Sequence, residues 1–387
     1  MNIECQQRIE ALRALLSDHD YDAALITDES SMVYFTGVSG YLGMDFGRPT
    51  SLLIHTDDDP VIITPALESE MVGEMTNIAD IRTFEDAGNN TWQTVLGAAL
   101  DDLGGARLGI EARQIPVVVR DFLEGFAFTG NNLDLGSVSE MIGGLRMIKS
   151  SHEIEIMRQA GTIAAAMMRA AEASLAAGAA EYESALAIIN EGTRTAAKYL
   201  DDENVDRFVS PMIHNLQIMQ SGRDTSMVHR RAGVKRYESG DPVYFCFCQM
   251  AEFRHYKLGF DRMFFIDHIS DDAARVQQAA IDAQQAAIAA IRPGIVAEDV
   301  ALAADAVYAQ RGYATGYRTG RAIGLAYLEA PELKAGDTTE LKVGMTFAVD
   351  GGISVDGVLG GRIGDSVVVT DEGFEYLTDY PREIRVV

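Results

Sequence analysis

The chain has 387 residues, 47% of them hydrophobic and 23% charged, with 58 acidic against 32 basic side chains and a formal net charge of −26. That length supports two domains with cores of their own, and the apolar fraction excludes a disordered chain. The charge argues against a nucleic-acid or anionic-membrane partner, since both need cationic surface; the scattered acidic residues read as a solvated face.

Residues 3–17 are predicted to form an amphipathic helix. Two short strands follow, Ala23-Ala24-Leu25-Ile26 and Met32-Val33-Tyr34-Phe35-Thr36-Gly37, then Ser51–Ile54 and Val61–Ile63, in a βαβ-like alternation through residue 125. Ser150 with Glu153 is a capping-box pattern, and Ile154, Met157, Ala164, Met168, Ala171 and Leu175 make one apolar helical face that Gly178 ends. This places the domain boundary at 145–150, giving domains 1–148 and 149–387. A second helix is expected over 182–199, and strands at Ser210–His214 and Gln217–Met219.

The stretch Gly240–Phe265 reads as two strands, Val243–Cys248 and Asp261–Phe265, joined by a polar bend with Glu252, Arg254 and His255. Cys246 and Cys248 alternate on the first strand and so share a face; without a second Cys/His pair at zinc spacing they read as buried thiols, beside Cys5 elsewhere. Alanine-rich helices at 271–291 and 297–311 end at Arg292-Pro293-Gly294 and Gly312. No basic segment leading an apolar core opens the sequence, and no run of about 20 apolar residues spans a membrane, so the expected location is cytoplasmic.

Several stretches resemble the pita-bread hydrolases, the family of methionine aminopeptidase, proline-specific peptidases and creatinase. Arg146–Arg158 resembles the family's R-x-IKSxxEIxxMRxA, and Gly240–Phe265 its GDLVxxDxG…GYxSDxTRTF hairpin. Tyr317–Pro331 resembles GHxIGLxxHExP, Leu341–Phe347 resembles LKxGMxF, and Gly361–Thr370 resembles GxRIEDxVLVT. The resemblance implies an N-terminal creatinase-type α/β domain followed by a C-terminal pita-bread α+β domain with a pseudo-twofold antiparallel sheet. The positions matching the family's metal ligands read Cys246, Gly259, Arg321, Asp350 and Gly364. One carboxylate remains, and a guanidinium repels a divalent cation, so neither a metal nor another cofactor is expected.

Creatinase and ectoine hydrolase are metal-free relatives, and the resemblance to them supplies the expected roles. His229, 11 residues before Gly240, matches the proton-carrying histidine. Asp261 falls where creatinase has a glutamate that binds the guanidinium, one methylene longer, and Asp350 shares that task. Phe46 and Arg48 match a Phe-Gly-Arg loop that reaches a neighbouring subunit's site and holds the substrate carboxylate. Arg321 is expected to bind carboxylate as well, with Arg262, Cys246 and Glu329 completing the substrate-facing set and Glu252 and His255 as rim groups. The expected protein is a homodimeric hydrolase of a C–N bond in a small amidino or cyclic-amidine carboxylic acid, turning creatine into sarcosine and urea or acting like ectoine hydrolase. Two alternatives stay open: an Xaa-Pro dipeptidase or aminopeptidase P-type metallopeptidase, and a catalytically silent pita-bread binding protein.

Overall fold

The structure is a computed structural model that describes residues 3–39, 48–101, 103, 107–128, 133–201, 205–214, 218–248, 250–314 and 318–387. It divides into two units, Met1–Arg146 and Met147–Val387.

In the first unit, helices α1 (Ile3–Asp18), α2 (Glu29–Thr36), α3 (Ser69–Met75), α4 (Trp92–Asp101), α5 (Val117–Phe126) and α6 (Ser139–Met147) alternate with strands β1 (Ala23–Ile26), β2 (Ser51–His55), β3 (Val61–Pro65), β4 (Asp80–Phe84), β5 (Arg107–Ile110) and β6 (Asp134–Ser137). The sheet runs β4-β3-β2-β1-β5-β6, with β1 antiparallel to β2 and parallel to β5. Leu25, Leu53, Ile63 and Leu108 on its strands pack with Leu96, Leu100, Val119 and Leu123 of α4 and α5. The strand expected at Met32–Gly37 is instead α2. The Asp28 side chain caps it by accepting from the Ser31 amide, and Gly37 at φ 77° closes it with a bond to the Val33 carbonyl. A short, wholly apolar run carries no periodicity, so the caps decide.

The second unit opens with α7 (Ser151–Ala173), whose capping box between Ser150 and Glu153 is formed, and α8 (Glu181–Ala196), extended by a 3-10 turn over Ala197–Tyr199. Strands β7 (Ile218–Ser221), β8 (Pro242–Cys246), β9 (Glu252–Phe253), β10 (Tyr256–Lys257) and β11 (Asp261–Phe265) precede helices α9 (Asp271–Ala290) and α10 (Ala297–Arg311). Strands β12 (Gly320–Ala322), β13 (Glu329–Leu333), β14 (Thr346–Val355), β15 (Leu359–Thr370), β16 (Gly373–Tyr376) and β17 (Arg385–Val386) complete it. The large sheet runs β13-β12-β14-β15-β11-β8-β7, and β9 with β10 forms a separate small hairpin.

Met263, Phe265, Phe347 and Val349 of this sheet share one core cluster with the alanines of α9 and α10. Small side chains let the layers approach closely: a Cβ at Gly351 would lie 2.1 Å from the Ala280 carbonyl oxygen. No regular strand forms at residues 210–214. Pro211 lacks an amide for a ladder, and the Ile213 amide donates to the Thr193 hydroxyl at 3.2 Å instead. Gln217 lies outside the described residues, and the strand begins at Ile218. Among the described residues no helix is long and apolar enough to cross a membrane.

Candidate active site

The register of the second sheet sets five residues in one row across its strands. Ile218 of β7 pairs with Cys246 of β8, Cys246 with Asp261 of β11, Asp261 with Gly364 of β15, and Gly364 with Asp350 of β14. Directly paired residues project to the same face. Ile218, Cys246, Asp261 and Asp350 accordingly line a cavity of about 800 Å³ with His229, Cys248, Arg321 and Arg362. Tyr244, Tyr308, Tyr313 and Tyr327 contribute aromatic wall.

Asp261 is the least satisfied group in this row. It is 4% exposed, and its Oδ1 has no hydrogen-bond partner among the described residues. Burial, the neighbouring Asp350 and Cys248 push its carboxyl well above the ordinary aspartate range. Burial likewise raises the Cys246 thiol. Asp350 is engaged, accepting from Arg321 Nη1 at 2.7 Å. Burial opposes the Arg321 charge, but Asp350, Cys248 and Cys246 outweigh it and its pKa is raised. The guanidinium carbon sits 4.1 Å over the Tyr327 ring centre, Nε donates to the Tyr327 carbonyl at 3.2 Å, and Nη2 bonds the Tyr327 hydroxyl.

His229 lies exposed at the cavity wall, and its ring has no hydrogen bond to another described residue. Its loop is anchored from beneath. The fully buried Glu181 accepts from Ser221 Oγ at 2.7 Å, Arg230 Nη1 at 2.8 Å and the Gly233 amide at 2.8 Å.

Two expected substrate-binding residues are elsewhere. Arg262 follows Asp261 on the strand and so points to the opposite face. There Nη2 pairs with Asp365 at 2.9 Å, and Nε donates to the Pro381 carbonyl at 2.7 Å. Glu329 forms a buried pair with Lys149 at 2.8 Å and accepts from the Ala326 amide. Both are structural. Glu252 lies on β9 and His255, at φ 71°, on the β9–β10 turn, and neither lines the cavity. In the first unit Arg48 Nε bonds Asp86 Oδ1 at 2.8 Å; Phe46 lies outside the described residues.

Arg362 was not singled out from sequence. It lies two residues from Gly364 on β15, hence on the cavity face. It donates to the Ile353 carbonyl at 2.5 Å, the Gly361 carbonyl at 2.9 Å and Ser354 Oγ at 2.6 Å, with no carboxylate partner among the described residues. Its place in the GxRI pattern was the available signal.

Residues 155–371 match the model of metallopeptidase family M24, and residues 8–148 match the creatinase/prolidase N-terminal domain. The chain belongs to the M24 family. It is 27% identical to the agropine synthesis cyclase of Rhizobium rhizogenes over 97% of this chain and 96% of that protein. A dipeptidase structure from Pyrococcus horikoshii OT3 superposes with a TM-score of 0.82 at 27% identity, over 98% of this chain and 100% of that one. A prolidase from Thermococcus sibiricus gives 0.85 at 23% identity, over 100% of both chains. This M24 hydrolase therefore carries the two-domain creatinase/aminopeptidase P-like fold, its curled antiparallel sheet being the pita-bread core.

The residues of this M24 member do not fit a metal pair. Arg321 stands at one ligand position and is bound to Asp350 at another. A Cβ at Gly259, a third, would lie 2.5 Å from the Ala348 Cβ and 3.1 Å from Arg321 Nη2, so Ala348 and the guanidinium together leave no room for a carboxylate there. At Gly364, a fourth, a Cβ would lie 2.6 Å from Asp261 Oδ2 and 2.9 Å from Asp350 Oδ1. Its absence lets those two carboxyl groups lie side by side. Among the described residues no three His, Cys, Asp or Glu side chains are grouped to hold a metal ion. A fixed cation in that position opposes a second one.

Proposed function

We propose that this M24 hydrolase cleaves a C–N bond of a small acid carrying an amidine, cyclic amidine or related cationic group, and does so without a metal. The observation that carries the reading is Arg321, bound at 2.7 Å to Asp350 in the place where the family keeps metal ligands. The unpartnered Asp261 Oδ1 offers an acceptor to a cationic substrate. Such a cation favours the ionised carboxylate that burial otherwise disfavours. Arg321 is committed to Asp350, so the carboxylate anchor in this reading is Arg362, whose partners are neutral. His229 takes a proton from attacking water and returns it to the leaving nitrogen, one residue acting as base and then acid.

A second reading, an Xaa-Pro dipeptidase or aminopeptidase P-type metallopeptidase, is favoured by the kinship to the P. horikoshii dipeptidase and by peptidase names among the relatives. One experiment separates them. The purified chain is loaded with excess Mn²⁺ or Zn²⁺, desalted and analysed for metal. It is then offered amidino acids, cyclic-amidine acids and Xaa-Pro dipeptides, with chelator and with metal. Amidine hydrolysis undiminished by chelator, lost in His229→Ala, supports the first reading. Stoichiometric metal with metal-dependent peptide cleavage establishes the second.

A further inference from the structure

Cys246 and Cys248 meet at the floor of the cavity, their Sγ atoms 2.7 Å apart. That is well inside the contact distance of two sulfur atoms and within reach of the roughly 2.05 Å of a disulfide bond. Both are free thiols, Cys246 buried and Cys248 half-buried. The chain between them is bent away from a straight strand. β8 ends at Cys246, the Phe247 amide donates to the Phe260 carbonyl at 2.8 Å, and the Met250 and Ala251 amides both turn back to the Phe247 carbonyl. This bend lets two side chains of like parity converge where an extended strand would hold them apart. Arg321 Nη2 lies 3.7 Å from Cys248 Sγ, and the unpartnered, buried Asp261 Oδ1 faces the same cavity, so the pair sits in a polar chamber.

We propose that Cys246 and Cys248 form a dithiol modification site that a small peroxide entering the cavity converts to an intramolecular disulfide. The Cys248 sulfur attacks one peroxide oxygen; the O–O bond breaks, a sulfenic acid forms and one water leaves. The Cys246 sulfur then attacks the Cys248 sulfur; the S–S bond forms and the hydroxyl departs with the thiol proton as a second water. Two electrons pass from the two thiols to the peroxide, and a dithiol reductant reverses the change. Cys248 acts first because it is the more exposed sulfur. Cys5 belongs to the first unit and is not needed. The site is independent of the substrate reading, because its chemistry involves no substrate.

The test treats the full-length chain with hydrogen peroxide, blocks remaining thiols with iodoacetamide and maps peptides by mass. The expected product is a peptide carrying a 246–248 link, 2 Da lighter than the dithiol form and restored by dithiothreitol. The link should form at least ~10-fold faster in the native chain than in urea, because the fold holds the sulfurs together. Cys5→Ser should leave that rate unchanged. Cys248→Ser should keep Cys246 as an alkylatable thiol under the same exposure. Accumulation of sulfinic or sulfonic acid at Cys248 without the link, or equal rates in native and unfolded chains, would overturn the proposal. Intermolecular dimers as the main product would overturn it equally.

Discussion

Arg321 and Asp350, on the neighbouring strands β12 and β14, form a 2.7 Å ion pair in which the two partners differ sharply in exposure. The Arg321 side chain is 3% exposed and that of Asp350 35%. Removing one partner therefore has unequal consequences. Asp350→Asn leaves a buried guanidinium with no countercharge and should cost about 2–3 kcal/mol, below the full price of a buried pair because Asp350 is partly solvated. Arg321→Met leaves a carboxylate that reaches water and should cost less. Urea denaturation of both variants checks the order. The same Arg321→Met removes the cation from the ligand cluster, so it should also bind Mn²⁺ or Zn²⁺ more readily than the wild-type chain by equilibrium dialysis.

Glu181 carries the loop that presents His229. It is fully buried and holds Ser221, Arg230 and the Gly233 amide, while Arg230 Nε also pairs with Asp224 at 3.0 Å. Glu181→Ala strands these donors and should cost about 3 kcal/mol, as breaking a buried charged network does. Amide exchange should quicken over residues 219–235 more than in α9 or β15. Turnover should fall through misplacement of His229, with its pH profile broadened. Uniform loss of protection across the unit would show that Glu181 supports the fold rather than the loop.

Individual elements were legible from long local signals, the capping box at Ser150 and Glu153, the alanine-rich helices and hairpin strands rich in β-formers, while the two-domain architecture followed from the resemblance of several stretches to the pita-bread family. The 29–36 helix was missed because Met32–Phe35 is apolar throughout, so period 2 and period 3.6 read alike. The site was half legible for the same reason. Every residue of β11 is buried, so alternation along Asp261–Phe265 gives no clue to which face holds the cavity. Asp261 and Arg262 looked equally placed, and only the register with Cys246 and Gly364 separates them. Arg362 carried a signal only in the GxRI pattern, and β15 fixes its face, whereas His229 was singled out by resemblance to the family's histidine segment, 11 residues before Gly240.

In the first unit, Glu111 is pushed up to about 7 by burial; its bond from Ser31 Oγ at 2.5 Å opposes that, and Asp28 adds to it. A folded pKa above the unfolded one means that the folded state holds the proton more tightly. This stability is complete below the unfolded value near 4.5 and is lost as pH rises through about 7. The difference corresponds to about 3 kcal/mol. Glu111→Gln keeps an acceptor for the Thr27 and Asp28 amides and a donor toward Ser31, and should remove the pH dependence. The single tryptophan, Trp92, lies in this unit and reports on it. Trp92 fluorescence melts from pH 5 to pH 8 should fall for wild type and stay flat for Glu111→Gln; parallel curves would place the proton elsewhere.

Asp261→Asn offers the sharpest separation of stability from function. Burial and Asp350 raise the Asp261 carboxyl well above the ordinary range, so ionising it in the fold is unfavourable. The stability it contributes is present below the unfolded aspartate pKa and is lost as pH rises through the raised folded value. An asparagine keeps the shape and never ionises. The variant should melt higher than wild type at pH 8, with the gain shrinking toward pH 4, in calorimetry of the second unit's transition. Its turnover of a cationic amidine acid should nevertheless collapse, because the neutral amide supplies no countercharge to the substrate. A residue that served only packing would not give a more stable but inactive chain. Retained turnover in Asp261→Asn would remove the carboxylate from the mechanism and return the binding of the cationic group to Asp350.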